Sequence, residues 1–118
     1  MILKLKTLTI GVASPSDALS RTRAALRTGQ PAGAYISFIS AELLWRVLTE
    51  KRWAILRATA GAGPLSIREI ARRVERDVKA VHGDVHALLN AGVLNRTDDG
   101  RIELPYDAIH VDFMLQAA

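Results

Sequence analysis

The chain has 118 residues, 49% of them hydrophobic, no cysteine and a formal net charge of +4. This length fits one small domain, and the missing cysteines exclude disulfides and thiolate metal sites. No apolar run approaches the ~20 residues of a membrane-spanning helix, and residues 1–10 lack the apolar core and cleavage site of a signal peptide. We therefore expect a cytoplasmic protein without membrane contacts.

Residues 1–37 are predicted to form an N-terminal strand–helix–strand extension. Residues 2–10 alternate between apolar and polar side chains, which is typical of a strand, and residues 11–15 should end it. A serine cap followed by proline starts a predicted helix over residues 14–27, and residues 35–39 form a second strand-like run. Such a short unit cannot bury enough surface alone, so we expect it to pack on the main domain or on a partner subunit.

Residues 38–118 are predicted to form the main domain, which opens with two helices. Ser40 is the expected N-cap of the first helix, and the second should cover residues 51–60. Trp45 and Trp53 are more typical of core or interface anchors than of ligand platforms.

The strongest pattern lies between residues 64 and 94. Ser66, with Glu69 three residues later, forms a capping-box signal. A second helix, about residues 77–91, should start at the N-cap Asp77 and end near Gly92. The two helices carry apolar stripes at helical spacing, namely Ile67, Ile70, Ala71 and Val74 in the first and Val78, Val81, Val85, Leu88 and Leu89 in the second. A short amphipathic helix, a tight turn and a longer amphipathic helix predict a helix-turn-helix.

The face of the second helix opposite its valine stripe is unusual for a solvated surface. It carries the small residues Ala80, Gly83 and Ala87 beside Lys79. Glycine inside a helix costs about 1 kcal/mol relative to alanine, so close approach to DNA or to a neighbouring helix should favour Gly83.

The basic residues are concentrated at this motif. Residues 1–50 carry six basic and three acidic side chains, residues 51–79 carry eight and three, and residues 80–118 carry two and six. A basic cluster can be no more than a solvated face, but its coincidence with a helix-turn-helix favours contact with nucleic-acid phosphates.

Residues 93–104 are predicted to form a hairpin, because two short alternating runs are joined by Asp-Gly. A hairpin placed directly after a recognition helix is the wing of a winged helix. Arg96 and Arg101 flank its tip, where Asp98 and Asp99 oppose a phosphate contact. Alternating residues 109–113 predict a final strand that needs a sheet partner.

These residues resemble a known family. The run SIREIARRVERDVKAVHGDVHALLNAGVL, the following DDG hairpin and PYDAI, and the upstream FISAELLWRVLTEKRWAIL are similar to small prokaryotic winged-helix DNA-binding proteins described as transcriptional regulators. That family is broadly like the MarR-type regulators, and some members resemble antitoxins encoded beside toxin genes. The resemblance covers about residues 38–113 and is most specific over RDVKAVHGDV. It implies DNA contacts around Arg76, Lys79 and His82, although Val74 and Glu75 stand where glycine is commoner.

We therefore predict an α+β protein, a winged helix-turn-helix with an N-terminal strand–helix–strand extension. Its expected function is sequence-specific binding of an operator in double-stranded DNA as a transcriptional regulator, a repressor or autorepressor. A homodimer is expected, because operator recognition uses two half-sites and both terminal strands lack an evident partner. The predicted DNA-contacting residues are Ser66, Arg68, Arg72, Arg73, Arg76, Lys79, Ala80, His82, Gly83, His86, Arg96 and Arg101.

No enzyme, cofactor site or metal site is predicted. His82 and His86 have the spacing of a metal pair, but only Asp84 or His110 could supply a third ligand, so groove-facing or helix-packing histidines are the preferred interpretation. The alternative function is an antitoxin-like module that neutralises a co-encoded toxin, with the terminal strands adding to a partner's sheet.

Overall fold

The computed structural model describes residues 6–12, 23 and 34–113 of the chain. The fold is mixed α+β, and its elements are β1 (Thr7–Val12), β2 (Ala34–Phe38), α1 (Ala41–Val47), α2 (Glu50–Thr59), α3 (Ile67–Val74), α4 (Val78–Asn90), β3 (Asn95–Arg96), β4 (Ile102–Glu103) and β5 (Ala108–Asp112). The predicted helix over residues 14–27 lies outside the described residues, apart from Arg23, whose backbone is helical. None of the described helices is long and apolar enough to cross a membrane.

Three parallel strands form a sheet in the order β2-β1-β5. Ile10 in the central strand is aligned with Ile36 in β2 and with Val111 in β5, so the three side chains share one face. Ile10 is fully buried there. The expectation that the terminal strands lack a partner is therefore wrong, because β1 and β5 pair with each other. Alternation predicted both strands but carries no information about which strand is the neighbour.

Gly11 lies inside β1, although residues 11–15 were expected to end the strand. A Cβ atom at this position would lie 2.7 Å from the carbonyl oxygen of Asp112 and would overlap the hydroxyl of Tyr35. Glycine is therefore required here for close packing, and the strand continues to Val12.

Helix α1 begins where its predicted capping residue, Ser40, placed it. The Ser40 hydroxyl accepts a hydrogen bond from the Leu43 N–H at 3.2 Å, and the Thr49 hydroxyl accepts one from the Arg52 N–H at 3.3 Å. Helix α2 consequently starts at Glu50, one residue before the predicted start.

Helices α2, α3 and α4 pack against one another, and a hairpin of β3 and β4 follows them. The hairpin is antiparallel, with Arg96 opposite Ile102. Leu65, just before α3, exchanges two backbone hydrogen bonds with Ile102, at 2.7 and 2.8 Å. The hairpin is thus attached directly to the start of the helix-turn-helix. The buried side chains of this unit include Ile55, Leu56, Leu65, Ile70, Val81, Val85, Leu88, Val93, Leu94 and Ile102.

The two tryptophans differ in their relation to the core, since Trp53 packs against it and Trp45 does not. Trp45 is 54% exposed and packs edge-to-face against Phe113, with ring centroids 5.5 Å apart. Trp53 is half-buried, and both rings line an apolar cavity of about 650 Å³ between α1, α2 and β5.

Candidate nucleic-acid interface

The first helix of the motif, α3, begins with the predicted capping box. The Ser66 hydroxyl accepts a hydrogen bond from the Glu69 N–H at 3.1 Å, and the Glu69 carboxylate accepts one from the Ser66 N–H at 3.2 Å. Hydrogen bonding of the Glu69 carboxylate, first to the Ser66 backbone and then to the Ser66 side chain, holds the pKa of Glu69 below its usual value. Ser66, a predicted DNA contact, is therefore engaged as a helix cap.

The turn between the helices is built around Glu75. Its backbone is left-handed, with φ 55° and ψ 49°, which is the conformation that glycine usually supplies at the end of a helix. The Arg76 N–H donates to the Ala71 carbonyl at 3.0 Å and closes the turn. Asp77 then caps α4 by accepting from the Lys79 N–H at 3.2 Å, as predicted.

A group of three charged side chains lies behind the turn. The Asp84 carboxylate, on α4, accepts a hydrogen bond from Arg52 Nε at 3.0 Å and another from Arg76 Nη2 at 2.8 Å. The side chains of Arg52, Arg76 and Asp84 are only 22%, 20% and 18% exposed. Burial by itself raises the pKa of Asp84, but the hydrogen bonds and charges of Arg76 and Arg52 outweigh that effect and hold the pKa below its usual value. The carboxylate is therefore ionised and paired with two guanidinium groups.

This group, which we term the Arg52–Asp84–Arg76 network, joins four parts of the fold. Arg52 also donates to the carbonyl oxygens of Arg46 and Val47 at the end of α1, each at 3.2 Å. The network thus connects the end of α1, the start of α2, the turn and the middle of α4. Since charge-assisted hydrogen bonds are strong and directional, it fixes the orientation of α4 relative to the other helices.

Arg76, a predicted DNA-contacting residue, is held by this network. One guanidinium nitrogen is bound to Asp84, and another, Nη1, is buried without a hydrogen-bond partner among the described residues. The geometry makes Arg76 a positioning residue, because its guanidinium faces the carboxylate behind the turn.

The outer surface of α4 is open. Lys79, Ala80, His82 and Gly83 are exposed, and His86 is half-buried. A Cβ atom added to Gly83 would meet nothing within 4 Å. Close packing by a neighbouring helix in the described part of the chain therefore does not account for this glycine.

Val78, by contrast, departs from the predicted apolar stripe of α4. It is 43% exposed, and the buried stripe starts with Val81. The first turn of α4, which carries Lys79, therefore projects beyond the core.

The basic side chains around α4 differ in how they are engaged. Arg68, Arg72 and Lys79 are exposed, and their side chains make no hydrogen bond or ion pair with the described residues. Arg73 is also exposed, but its Nη1 reaches the Ala58 carbonyl at 3.5 Å.

The tip of the hairpin balances its own charge. Arg101 lies 3.6 Å from the Asp99 carboxylate, and Arg96 reaches the Gly100 carbonyl at 3.5 Å. A hydrogen bond from the Thr97 hydroxyl, and then one from the Arg101 backbone, hold the pKa of Asp99 below its usual value. Both arginines stay exposed, but the tip is a weaker cationic site than α3 and the start of α4.

A protein-family model described as HVO_A0114 matches residues 47–111. The match extends from the last residue of α1 almost to the end of β5 and covers more than half of the chain. The chain belongs to the HVO_A0114 family.

One solved structure similar to this HVO_A0114 member is the multiple antibiotic-resistance repressor MarR from Listeria monocytogenes 4b F2365. The two share 15% sequence identity with a TM-score of 0.46, and the match covers 75% of this chain and 60% of the MarR chain. The HVO_A0114 chain thus spans less than two thirds of the length of that protein. No curated protein sequence matches it.

The region matched by the family model contains all twelve predicted contact residues. Sequence reasoning missed one member of the site, Arg52 on α2, whose guanidinium donates a hydrogen bond to the Asp84 carboxylate on α4. The available signal was one of two adjacent basic residues, Lys51 and Arg52, in the first turn of α2, which resembles any solvated arginine.

Proposed function

We propose that the protein binds double-stranded DNA sequence-specifically as a transcriptional regulator, with α4 in the major groove and residues 93–104 as a wing on the backbone. The observation that carries this proposal is the outer face of α4. Ala80 and Gly83 leave room for a close approach, and Lys79 stands beside them without a partner in the described chain. Recognition helices of this motif contact base edges mainly from their N-terminal part.

The distribution of charge supports the same surface. Arg68 and Arg72 on α3 are exposed and make no side-chain hydrogen bond or ion pair with the described residues, and the first helix of the motif crosses the DNA backbone. A bare carboxylate on α4 would repel phosphates, but Asp84 is paired with two arginines. The Arg52–Asp84–Arg76 network therefore carries a net charge of +1, and its acidic member does not oppose DNA.

The proposal includes a homodimer, since a helix-turn-helix normally reads two half-sites about one helical turn apart. Pairing of β1 with β5 removes the other argument for a dimer, which was that the terminal strands lack a partner. The antitoxin-like alternative rested on the same strands: β1 is central in the described sheet and cannot add to a partner's sheet, whereas β5 keeps one edge open. Where the operator overlaps a promoter, including that of its own gene, we expect repression because the bound protein obstructs transcription.

The deciding experiment measures binding to the DNA upstream of the protein's own coding sequence and to a scrambled duplex, each at 50 and 200 mM salt. Lys79→Ala should cost about 1–3 kcal/mol on the operator and little on the scrambled duplex, since it removes a base contact. Arg72→Ala should weaken both about equally and make the salt slope shallower by about one, since it removes a phosphate contact.

Lys51→Ala is the matched control. Lys51 is exposed and is the second residue of α2, as Lys79 is of α4, so it tests the loss of a lysine outside the motif. It should leave both affinities unchanged. If Lys79→Ala leaves the ratio of operator affinity to scrambled-duplex affinity unchanged, the face of α4 that we assign to the bases is the wrong one. If neither Lys79→Ala nor Arg72→Ala changes DNA binding, the proposed contact surface is wrong, and if the native chain does not bind the upstream DNA, the proposed function is wrong.

A further inference from the structure

Two of the three histidines in the chain lie side by side on α4. His82 and His86 are one helical turn apart, and their Nε2 atoms are separated by 3.1 Å. The ring centroids are 4.2 Å apart and the ring planes are inclined by 39°. Because the centroids are little farther apart than the nitrogens, the rings lie next to each other with their Nε2 edges on the same side, and not end to end.

This arrangement brings together two atoms that can each bind a cation. A neutral imidazole nitrogen is either a donor or an acceptor, so two Nε2 atoms at this distance attract each other only if one of them carries a proton. If both present lone pairs, a cation between them removes their repulsion. Imidazole is a common ligand of zinc, copper and nickel.

The separation of the nitrogens also fits chelation. With metal–nitrogen bonds of ~2.05 Å, two nitrogens 3.1 Å apart enclose an angle of about 98° at the metal. This lies between the right angle of a square-planar or octahedral site and the wider angle of a tetrahedral one. The distance between the nitrogens therefore suits a bound ion, and the rings need only turn so that both lone pairs face it.

We propose that His82 and His86 chelate a divalent transition-metal ion through their Nε2 atoms, with water in the remaining positions. The described residues contain no group of three or more histidine, cysteine, aspartate or glutamate side chains that could hold a metal, so this part of the chain supplies two ligands. Asp84, which lies between them in sequence, is engaged by Arg52 and Arg76. His82 is exposed, so an ion reaches the site directly from solvent.

The site lies next to the surface proposed to meet DNA. A divalent ion there adds positive charge beside Lys79 and should raise affinity for the phosphate backbone. This consequence rests on the proposed function, whereas metal binding itself does not.

The test of the site is calorimetric titration of the full, tag-free chain with CuCl2, NiCl2 and ZnSO4 in the absence of DNA. One ion per chain should bind, with copper bound most tightly. His82→Ala and His86→Ala should each weaken binding more than about tenfold, since even changes outside the ligand shell cost that much at other metal sites. The third histidine provides the control, because His110 is exposed on β5 and His110→Ala should bind as the native chain does.

The folded state of each variant is checked by thermal unfolding, in which the metal should raise the midpoint of the native chain and of His110→Ala only. The proposed site is wrong if the native chain binds no metal ion, or if His110→Ala weakens metal binding as much as His82→Ala and His86→Ala do. DNA affinity is then compared with and without the metal. An increase in the native chain but not in His82→Ala supports the coupling. An unchanged affinity in a chain that binds both metal and DNA overturns the coupling alone, and failure to bind DNA under any condition overturns the proposed function.

Discussion

Replacement of Gly83 by alanine should move stability and DNA binding in opposite directions. Gly83 has helical backbone in the middle of α4, and its φ is not positive. An added Cβ meets nothing within 4 Å, so the substitution gains helix propensity without a clash. The gain is about 1 kcal/mol, and a domain of this size should unfold roughly 3–5 °C higher as a result.

DNA affinity should fall in the same variant if α4 approaches the bases as closely as we propose. An extra methyl group in a well-packed contact costs roughly 1–3 kcal/mol, which corresponds to about a fivefold to hundredfold loss on the operator. Binding to scrambled DNA should change less, because contacts to the backbone permit looser docking.

The assay pairs thermal unfolding with fluorescence anisotropy on operator and scrambled duplexes. Gly83→Leu enlarges the effect, and Ala54→Leu is its control because Ala54 is exposed on α2, outside the motif. The reasoning is refuted if Gly83→Ala is stabilised and binds the operator as tightly as the native chain. In that case the open face of α4 is not a contact surface.

Two further predictions concern stability. Asp84→Ala leaves the guanidinium groups of Arg52 and Arg76 without their shared carboxylate while they are only 22% and 20% exposed, so it should destabilise the fold by about 2–4 kcal/mol. Denaturant unfolding measures this loss. A change below experimental error would show that the network does not stabilise the fold. Glu75→Gly should raise the free energy of unfolding by about 1 kcal/mol, because glycine adopts a left-handed backbone without the steric cost that other residues incur. Glu75→Ala keeps that cost and is the control. An equal gain in stability in both variants would contradict the explanation.

The charged network shows why some site residues could not be interpreted from sequence. Arg76 and Asp84 are eight residues apart, yet the sequence pattern indicated only that Arg76 contacts DNA. The orientation of the Arg76 side chain depends on Asp84, which Arg52 also contacts because α2 packs against α4. A long side chain can reach several acceptors, and only the fold determines which of them is near.

Local structure, in contrast, could be predicted closely. Ser40, Ser66 and Asp77 cap their helices as expected, and the Asp-Gly turn joins two antiparallel strands. Each of these features depends on contacts between residues within a few positions of one another, so the sequence contains all the interacting groups. The turn between the two helices also lies where it was predicted, and Glu75 adopts a left-handed backbone there without a glycine.

What the sequence determined by itself is therefore the series of helices and strands in the helix-turn-helix and hairpin, together with the concentration of basic residues around them. Tertiary structure alone decided that β5 pairs with β1, that the apolar stripe of α4 starts with Val81 and that Gly83 faces open space. The physical reason is distance along the chain. Periodicity specifies which side of an element is apolar, but its partner and the exposure of each residue depend on segments far away in sequence.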